Sequence, residues 1–219
     1  MMEYASYQMI NTEKIPSVVY LGEASTPVWR QGRWDDGEFQ QFIRGNGCGH
    51  CCTAMVLNLH NIKIDPYEEF VLCRKLWGAP VLEREFPQLG YQTVAGITKI
   101  LKHHGIPAEY FGVPSREEAA AHIDEALKNN KQVIFWSHPN EDFPENPFST
   151  GEHYVLAVGY TKEGKILVAN SSEKRSAEGV QLVDINTVVR ALLLGAEPID
   201  LTWGERGPRG RCAGYVVVG

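Results

Sequence analysis

An α+β fold, with an N-terminal helical layer packed on a mostly antiparallel sheet, is what this sequence predicts, and three observations carry it. Helical signals crowd the first half: apolar residues at helical spacing after Gly49, an Asp65-Pro66 start, and a capping box from Ser115 to Glu118. β-Branched and aromatic runs crowd the second half, at Gln132–Trp136, His153–Tyr160, Lys165–Ala169 and Gly214–Val218. Between two of these runs, Glu163-Gly164 reads as a hairpin turn, which makes its flanking strands antiparallel.

Taken in order, the stretch through Phe39 is rich in Trp, Tyr, Gly and Pro and predicts short strands and turns. Gly45 and Gly47 let the backbone turn sharply into a helix starting at about Cys48, with Cys52, Met55, Val56 and Leu59 on one stripe. Asp65 as N-cap and Pro66 in the first turn open a second helix, with Tyr67, Val71 and Trp77 expected on its buried face. A third helix runs from Thr93 to His104 and closes at Gly105. After the capping box, Ala119, Ile123 and Leu127 line the inward face of a fourth. No internal repeat, low-complexity tract or long linker interrupts the 219 residues, which read as one domain, 1–219, with a core from about residue 28.

Hydrophobic residues at 43% and charged residues at 22% are ordinary for a globular protein, and the formal net charge of −6 argues against nucleic acid or anionic lipid as partner. No apolar run is long enough to span a bilayer, and the N-terminus lacks the basic start and apolar core of a signal peptide. Five cysteines, crowded at 48, 51 and 52 with others at 73 and 212, make a poor disulfide framework and suit a reducing compartment. The expected location is the cytoplasm, or outside the cell if a leader was removed. The oligomeric state is open.

Chemistry concentrates in RGNGCGHCCTAMVLNLH, from Arg44 to His60, which admits two readings. Cys48 and Cys51 have the spacing of a redox dithiol whose first thiol sits at a helix start. The glycine-rich polar approach, Phe42 to Gly47, lacks the buried strand that such a motif follows in the thioredoxin context. A metal held by Cys48, His50, Cys51 and Cys52 fares worse, because adjacent side chains on one helix diverge. Cys73 and Cys212 read as core thiols.

The other reading makes Cys48 a single nucleophile, which requires a base, an orienting group and oxyanion donors. Of seven histidines, His60, His103 and His104 sit at helix ends, His122 on a helix face, His138 at the start of a proline-rich loop, and His50 too close in sequence. His153 instead opens a strong strand, where a base is rigidly held and reachable. The returning strand ends at Asn170, whose amide can fix the imidazole's tautomer and angle.

These residues carry a resemblance. Gly47-Cys48-Gly49 with Thr53-Ala54-Met55-Val56-Leu57 resembles the GCGPTSLAMVL helix start of papain-like cysteine peptidases of the bacteriocin-processing, double-glycine-leader type. Glu152 to Tyr160, followed by Gly164-Lys165-Ile166, is similar to that group's GHYVVVVGYD…GKI hairpin, and Gln31-Gly32-Arg33-Trp34 to its Q-x-D-x-R-W segment. Ile64-Asp65-Pro66 and Gly214 to Val218 follow in family order. The resemblance implies a papain-like fold with Cys48 as nucleophile, His153 as base and Asn170 as orienter. A glutamine and the Cys48 N–H would form the oxyanion hole; Gln31 is the first choice, with Gln40 and Gln41 open. No cofactor or metal is implied, and the expected partner is a peptide or amide substrate. Helix-start placement and a paired imidazole are expected to bring the thiol pKa down to about 3.5–7.5.

This sequence departs from the family pattern at His50, which replaces a proline, at Cys51-Cys52, which replace Thr-Ser, and at Glu152, which replaces a glycine. Glu152 is expected to raise the histidine pKa or to select a cationic substrate, and with Trp136 it completes the candidate substrate-binding residues. The loop from His138 to Phe148 reads as a lid, a substrate-selecting wall or a plain surface excursion. The expected activity is a thiol hydrolase working through an acyl-enzyme. A Cys48–Cys51 redox protein and a noncatalytic peptide-binding module are the alternatives.

Overall fold

The computed structural model describes residues 18–21, 24–29, 47–77, 93–172, 179–196 and 213–219. Strands β1 (Val18–Leu21) and β2 (Ala24–Trp29) form an antiparallel hairpin, as the turn-rich N-terminal texture predicts. Helices α1 (Cys48–Leu59), α2 (Pro66–Trp77) and α3 (Val94–His103) follow, then β3 (Ala108–Phe111), α4 (Arg116–Lys128), β4 (Gln132–Ser137), β5 (His153–Tyr160), β6 (Ile166–Ala169), β7 (Val180–Val183), α5 (Ile185–Ala191) and β8 (Tyr215–Val218). Six of the strands form one sheet in the order β3-β8-β4-β5-β6-β7, and every neighbouring pair is antiparallel. Helices on an antiparallel sheet make this the expected α+β fold.

The helices gather in two groups. α1 packs against α2, α3, β2 and β5, whereas α4 packs against α5, β4 and β5. The first group is the N-terminal layer that the sequence announces. Being enclosed on several sides, α1 is buried from Gly49 to Leu59, well beyond the stripe of four apolar positions. Its polar residues are paired internally: Thr53 Oγ1 donates to Gly49 O at 2.8 Å, and Asn58 Nδ2 to Ala54 O and Ile64 O, both at 2.7 Å. Such pairing removes the cost of burying them.

Helix α2 starts with a reciprocal cap, Glu68 N–H on Asp65 Oδ1 at 2.7 Å and Asp65 N–H on Glu68 Oε2 at 3.0 Å. Its buried face differs from the expected one. Glu69, Phe70 and Cys73 turn inward, and Val71 is 44% exposed. The apolar spacing misleads here because the inward stripe includes a carboxylate, which no hydrophobic pattern marks. The side chains of Tyr67 and Trp77 lie outside the described ones. Thr93 Oγ1 caps α3 by accepting from Gly96 N–H, and Ser115 Oγ caps α4 by accepting from Glu118 N–H. Both caps agree with the sequence.

Three elements escape the sequence reading: β3, β7 and α5, of four, four and seven residues. Elements this short carry too little periodicity to stand out. The C-terminal strand β8 inserts between β3 and β4, joining segments far apart in the chain. Gly214, at φ +130, makes the entry possible, since a Cβ there would collide with the Phe111 carbonyl oxygen.

Candidate functional site

The site assembles where the start of α1 meets the start of β5. Cys48 is the first residue of α1, and the backbone N–H of Tyr154, the second residue of β5, comes close enough to its sulfur to favour the thiolate. The start of α1 is thus packed against the start of β5, where His153 is the preceding residue. Strands β5 and β6 pair Leu156 with Ala169, a register that carries Asn170 across from Val155 and onto the sheet face of His153. There His153 Nε2 and Asn170 Oδ1 stand 2.9 Å apart.

That contact fixes a tautomer. Asn170 Nδ2 donates to Phe148 O at 3.0 Å and to Gln181 Oε1 at 2.9 Å, so the amide nitrogen is committed and its oxygen faces the ring. An oxygen can only accept, so His153 Nε2 carries the proton and Nδ1 keeps its lone pair. The clamp continues outward: Gln181 Nε2 donates to Pro147 O at 2.8 Å, and Asn170 Oδ1 also accepts from Ser172 N–H at 2.9 Å.

Gln181, on β7, was not among the candidates. Its signal was a lone polar residue inside the apolar run Val180 to Val183.

The loop before His153 supplies two of the carbonyls that hold this clamp, and it is anchored. Asn146 Nδ2 donates to Ser137 Oγ and His138 O, and Asn140 Nδ2 to Arg190 O and Leu192 O. Phe143 and Phe148 are buried, the Arg190 guanidinium lies 4.2 Å over the Phe143 ring, and Phe148 meets Phe135 edge-on at 5.2 Å. Aromatic contacts of this kind contribute about 0.5–1.5 kcal/mol each. A loop so held is a fixed buttress for Asn170, unlike the moving lid among its expected roles.

Electrostatics depart from expectation twice. Burial pushes the Cys48 thiol up, the N–H groups of Tyr154, Gly49 and Cys48 itself favour the thiolate, and the Glu152 carboxylate raises the thiol further. The thiol thus moves opposite to the expected direction, because desolvation of the sulfur outweighs the hydrogen bonds that favour its anion. His153 is pulled down to about 4 by burial, with the Asn170 contact opposing. Glu152 is half exposed and acts on the sulfur, not on the imidazole as expected. Burial thus disfavours the charged form of both groups.

Trp136 does not join this group. It pairs with Tyr154 across the β4–β5 ladder and stacks on it at 6.3 Å, whereas His153 pairs with Ser137, so the two project to opposite sheet faces. Trp136 is 5% exposed. His138, read only as a loop residue, lies edge-on to Trp136 and 3.9 Å from Glu152. Gln31, Gln40, Gln41 and Cys212 lie outside the described residues.

Cys51 and Cys52 are fully buried beside the nucleophile candidate. His50 turns away from it: its Nδ1 meets Glu69 Oε2 of α2, and Cys73 Sγ donates to Glu69 Oε1 at 3.0 Å. Cys73 is the core thiol its sequence context suggests, and it also meets the buried Glu69 carboxylate.

The Peptidase_C39 like family model matches residues 27–191, most of the chain and all of the site just described. The chain belongs to the Peptidase_C39 like family. Its fold is accordingly the papain-like one. Among solved structures, the chain is similar to a double glycine motif protease from an AMS/PCAT transporter in complex with its leader peptide, at 13% identity and a TM-score of 0.39, over 78% of this chain and 81% of that one. No curated protein matches the sequence.

Proposed function

We propose that this C39-like protein is a cysteine peptidase or amidase that cleaves a peptide or other amide bond through an acyl-enzyme on Cys48. One observation carries the proposal: the Tyr154 N–H reaches the Cys48 sulfur, next to an imidazole whose tautomer Asn170 sets. With Nε2 protonated, the His153 nitrogen that remains basic is Nδ1. His153 Nδ1 takes the thiol proton as Cys48 Sγ bonds to the scissile carbonyl carbon. The Cys48 backbone N–H and a glutamine, Gln31 first with Gln40 and Gln41 as alternatives, hold the oxyanion. Collapse breaks the C–N bond, and His153 returns its proton to the departing amine. Water then gives a proton to Nδ1 and its hydroxyl to the thioester, releasing the acid and the thiol.

Glu152 and His138 stand at the edge of the site, and Glu152 is the group through which a cationic substrate residue is selected.

Labelling with a peptidyl vinyl sulfone, mapped by mass spectrometry on the parent, Cys51→Ser and His153→Ala, tests the reading. The expected adduct is on Cys48, unaffected by Cys51→Ser and lost in His153→Ala. A Cys48 that depends on Cys51, cycles through a reversible disulfide and ignores His153 marks a redox protein. Neither adduct nor peptide cleavage marks a binding module.

A further inference from the structure

Away from the nucleophile, three ionisable side chains of different chemistry meet inside the protein: His50 from the first turn of α1, and Glu69 and Cys73 from α2. All three are buried, at 1%, 2% and 0% exposure. Glu69 and Cys73 are four residues apart on one helix, so they project from one face toward α1. Their donor atoms, with that of His50, all lie within 4.8 Å of one another. A tetrahedral zinc ion, with Zn–S about 2.3 Å and Zn–N or Zn–O about 2.0–2.2 Å, needs ligand atoms roughly 3–4 Å apart, so the direct contact between His50 Nδ1 and Glu69 Oε2 opens as the ion enters.

We propose that His50, Glu69 and Cys73 are three ligands of a zinc site that staples α1 to α2, with the fourth position open to water or a further donor.

The donor set supports zinc over its competitors. One thiolate and one imidazole suit a borderline-soft cation, whereas magnesium and calcium take oxygen donors. A fully buried carboxylate beside a thiol is a costly arrangement for a core, and neither group takes part in the chemistry at Cys48. A single divalent ion compensates the carboxylate and the thiolate together, which a shared proton cannot. Nearby, His104 at the end of α3 has its Nε2 buried and without a hydrogen-bond partner among the described residues. Binding expels the Cys73 thiol proton, and any proton held between His50 and Glu69, to solvent; no electron moves. The site also accounts for a departure in the sequence. Where the family resemblance has a helix-starting proline after Cys-Gly, this chain has His50, which anchors the same turn from outside.

The full chain, stripped of metal by a chelator and kept reduced with a phosphine, is titrated with Zn²⁺ and then with Co²⁺. We expect a single tightly bound equivalent, a rise in Tm, and a Co²⁺ thiolate charge-transfer band. That band persists in Cys48→Ser and Cys51→Ser and disappears in Cys73→Ser, with circular dichroism reporting whether each variant is folded. X-ray absorption on the zinc-bound parent needs no variant and should find one sulfur among nitrogen and oxygen neighbours. Absence of stoichiometric binding overturns the site. So does a shell of two or more sulfurs, or a cobalt band that follows Cys48, since either puts the metal on the thiols at the start of α1.

Discussion

Asn170 Oδ1 lies 2.9 Å from His153 Nε2, and the same amide's nitrogen is held by Phe148 O and Gln181 Oε1, so the imidazole is oriented by a residue that is itself clamped on its far side. An orienting group transmits only as much order as its own surroundings impose. The buttress loop and β7 therefore help to set the His153 ring through Asn170.

Asn170→Ala removes the orienter and strands two acceptors. The expected result is a loss of about 10²-fold in kcat/KM for peptide cleavage, and about 1–3 kcal/mol in stability from the unpaired groups. Asn170→Asp strands the same two acceptors and should also lose stability, but it raises the His153 pKa, because a carboxylate favours the imidazolium. A pH–rate profile showing no upward move of the acidic limb would contradict this.

Gln181→Leu tests the clamp one step further out. It should lower kcat, by up to about 10²-fold, and leave KM nearly unchanged, because a displaced imidazole costs attack geometry and not binding. Equal kcat in variant and parent would show that Asn170 holds its position unaided.

Glu152→Gln removes the negative charge that raises the Cys48 thiol. Iodoacetamide should then label Cys48 about 2–5-fold faster at a given pH, the modest size following from the half-exposed position of the carboxylate. Salt should narrow the gap between variant and parent by screening.

His153 gives stability a pH dependence of known sign. Its pKa is about 4 in the folded chain and about 6.5 when unfolded, so between these values the unfolded chain binds the extra proton. The contribution is complete above about pH 6.5 and is lost as pH falls toward 4, amounting to about 3 kcal/mol. Urea denaturation of the parent and His153→Phe between pH 7 and 4 measures it. A parent curve no steeper than the variant's would assign the acid sensitivity to other groups.

Gly214→Ala should be severely destabilising, by at least about 3 kcal/mol, since the substitution meets both a left-handed φ and the Phe111 carbonyl. Thermal unfolding reads it directly, and parent-like stability would mean that β8 enters the sheet by another path.

How much of this was legible in the sequence follows from the range of the interactions involved. The caps at Asp65, Thr93 and Ser115, the turn at Gly164 and the pairing of β5 with β6 are local, and residue type and spacing specify them. Cys48, His153 and Asn170 stand out in the sequence because each sits at an element boundary that local patterning reveals, and the fold brings His153 and Asn170 together. Tertiary structure alone decided the rest. It set β8 between β3 and β4, turned Glu69 and Cys73 inward toward His50, placed Trp136 on the far sheet face, and brought Gln181 and the Phe148 carbonyl to the Asn170 amide. It also reversed the expected direction of the Cys48 thiol. Helix position and partner type can be read along a chain, but desolvation depends on everything that packs around an atom, and only the folded molecule specifies that.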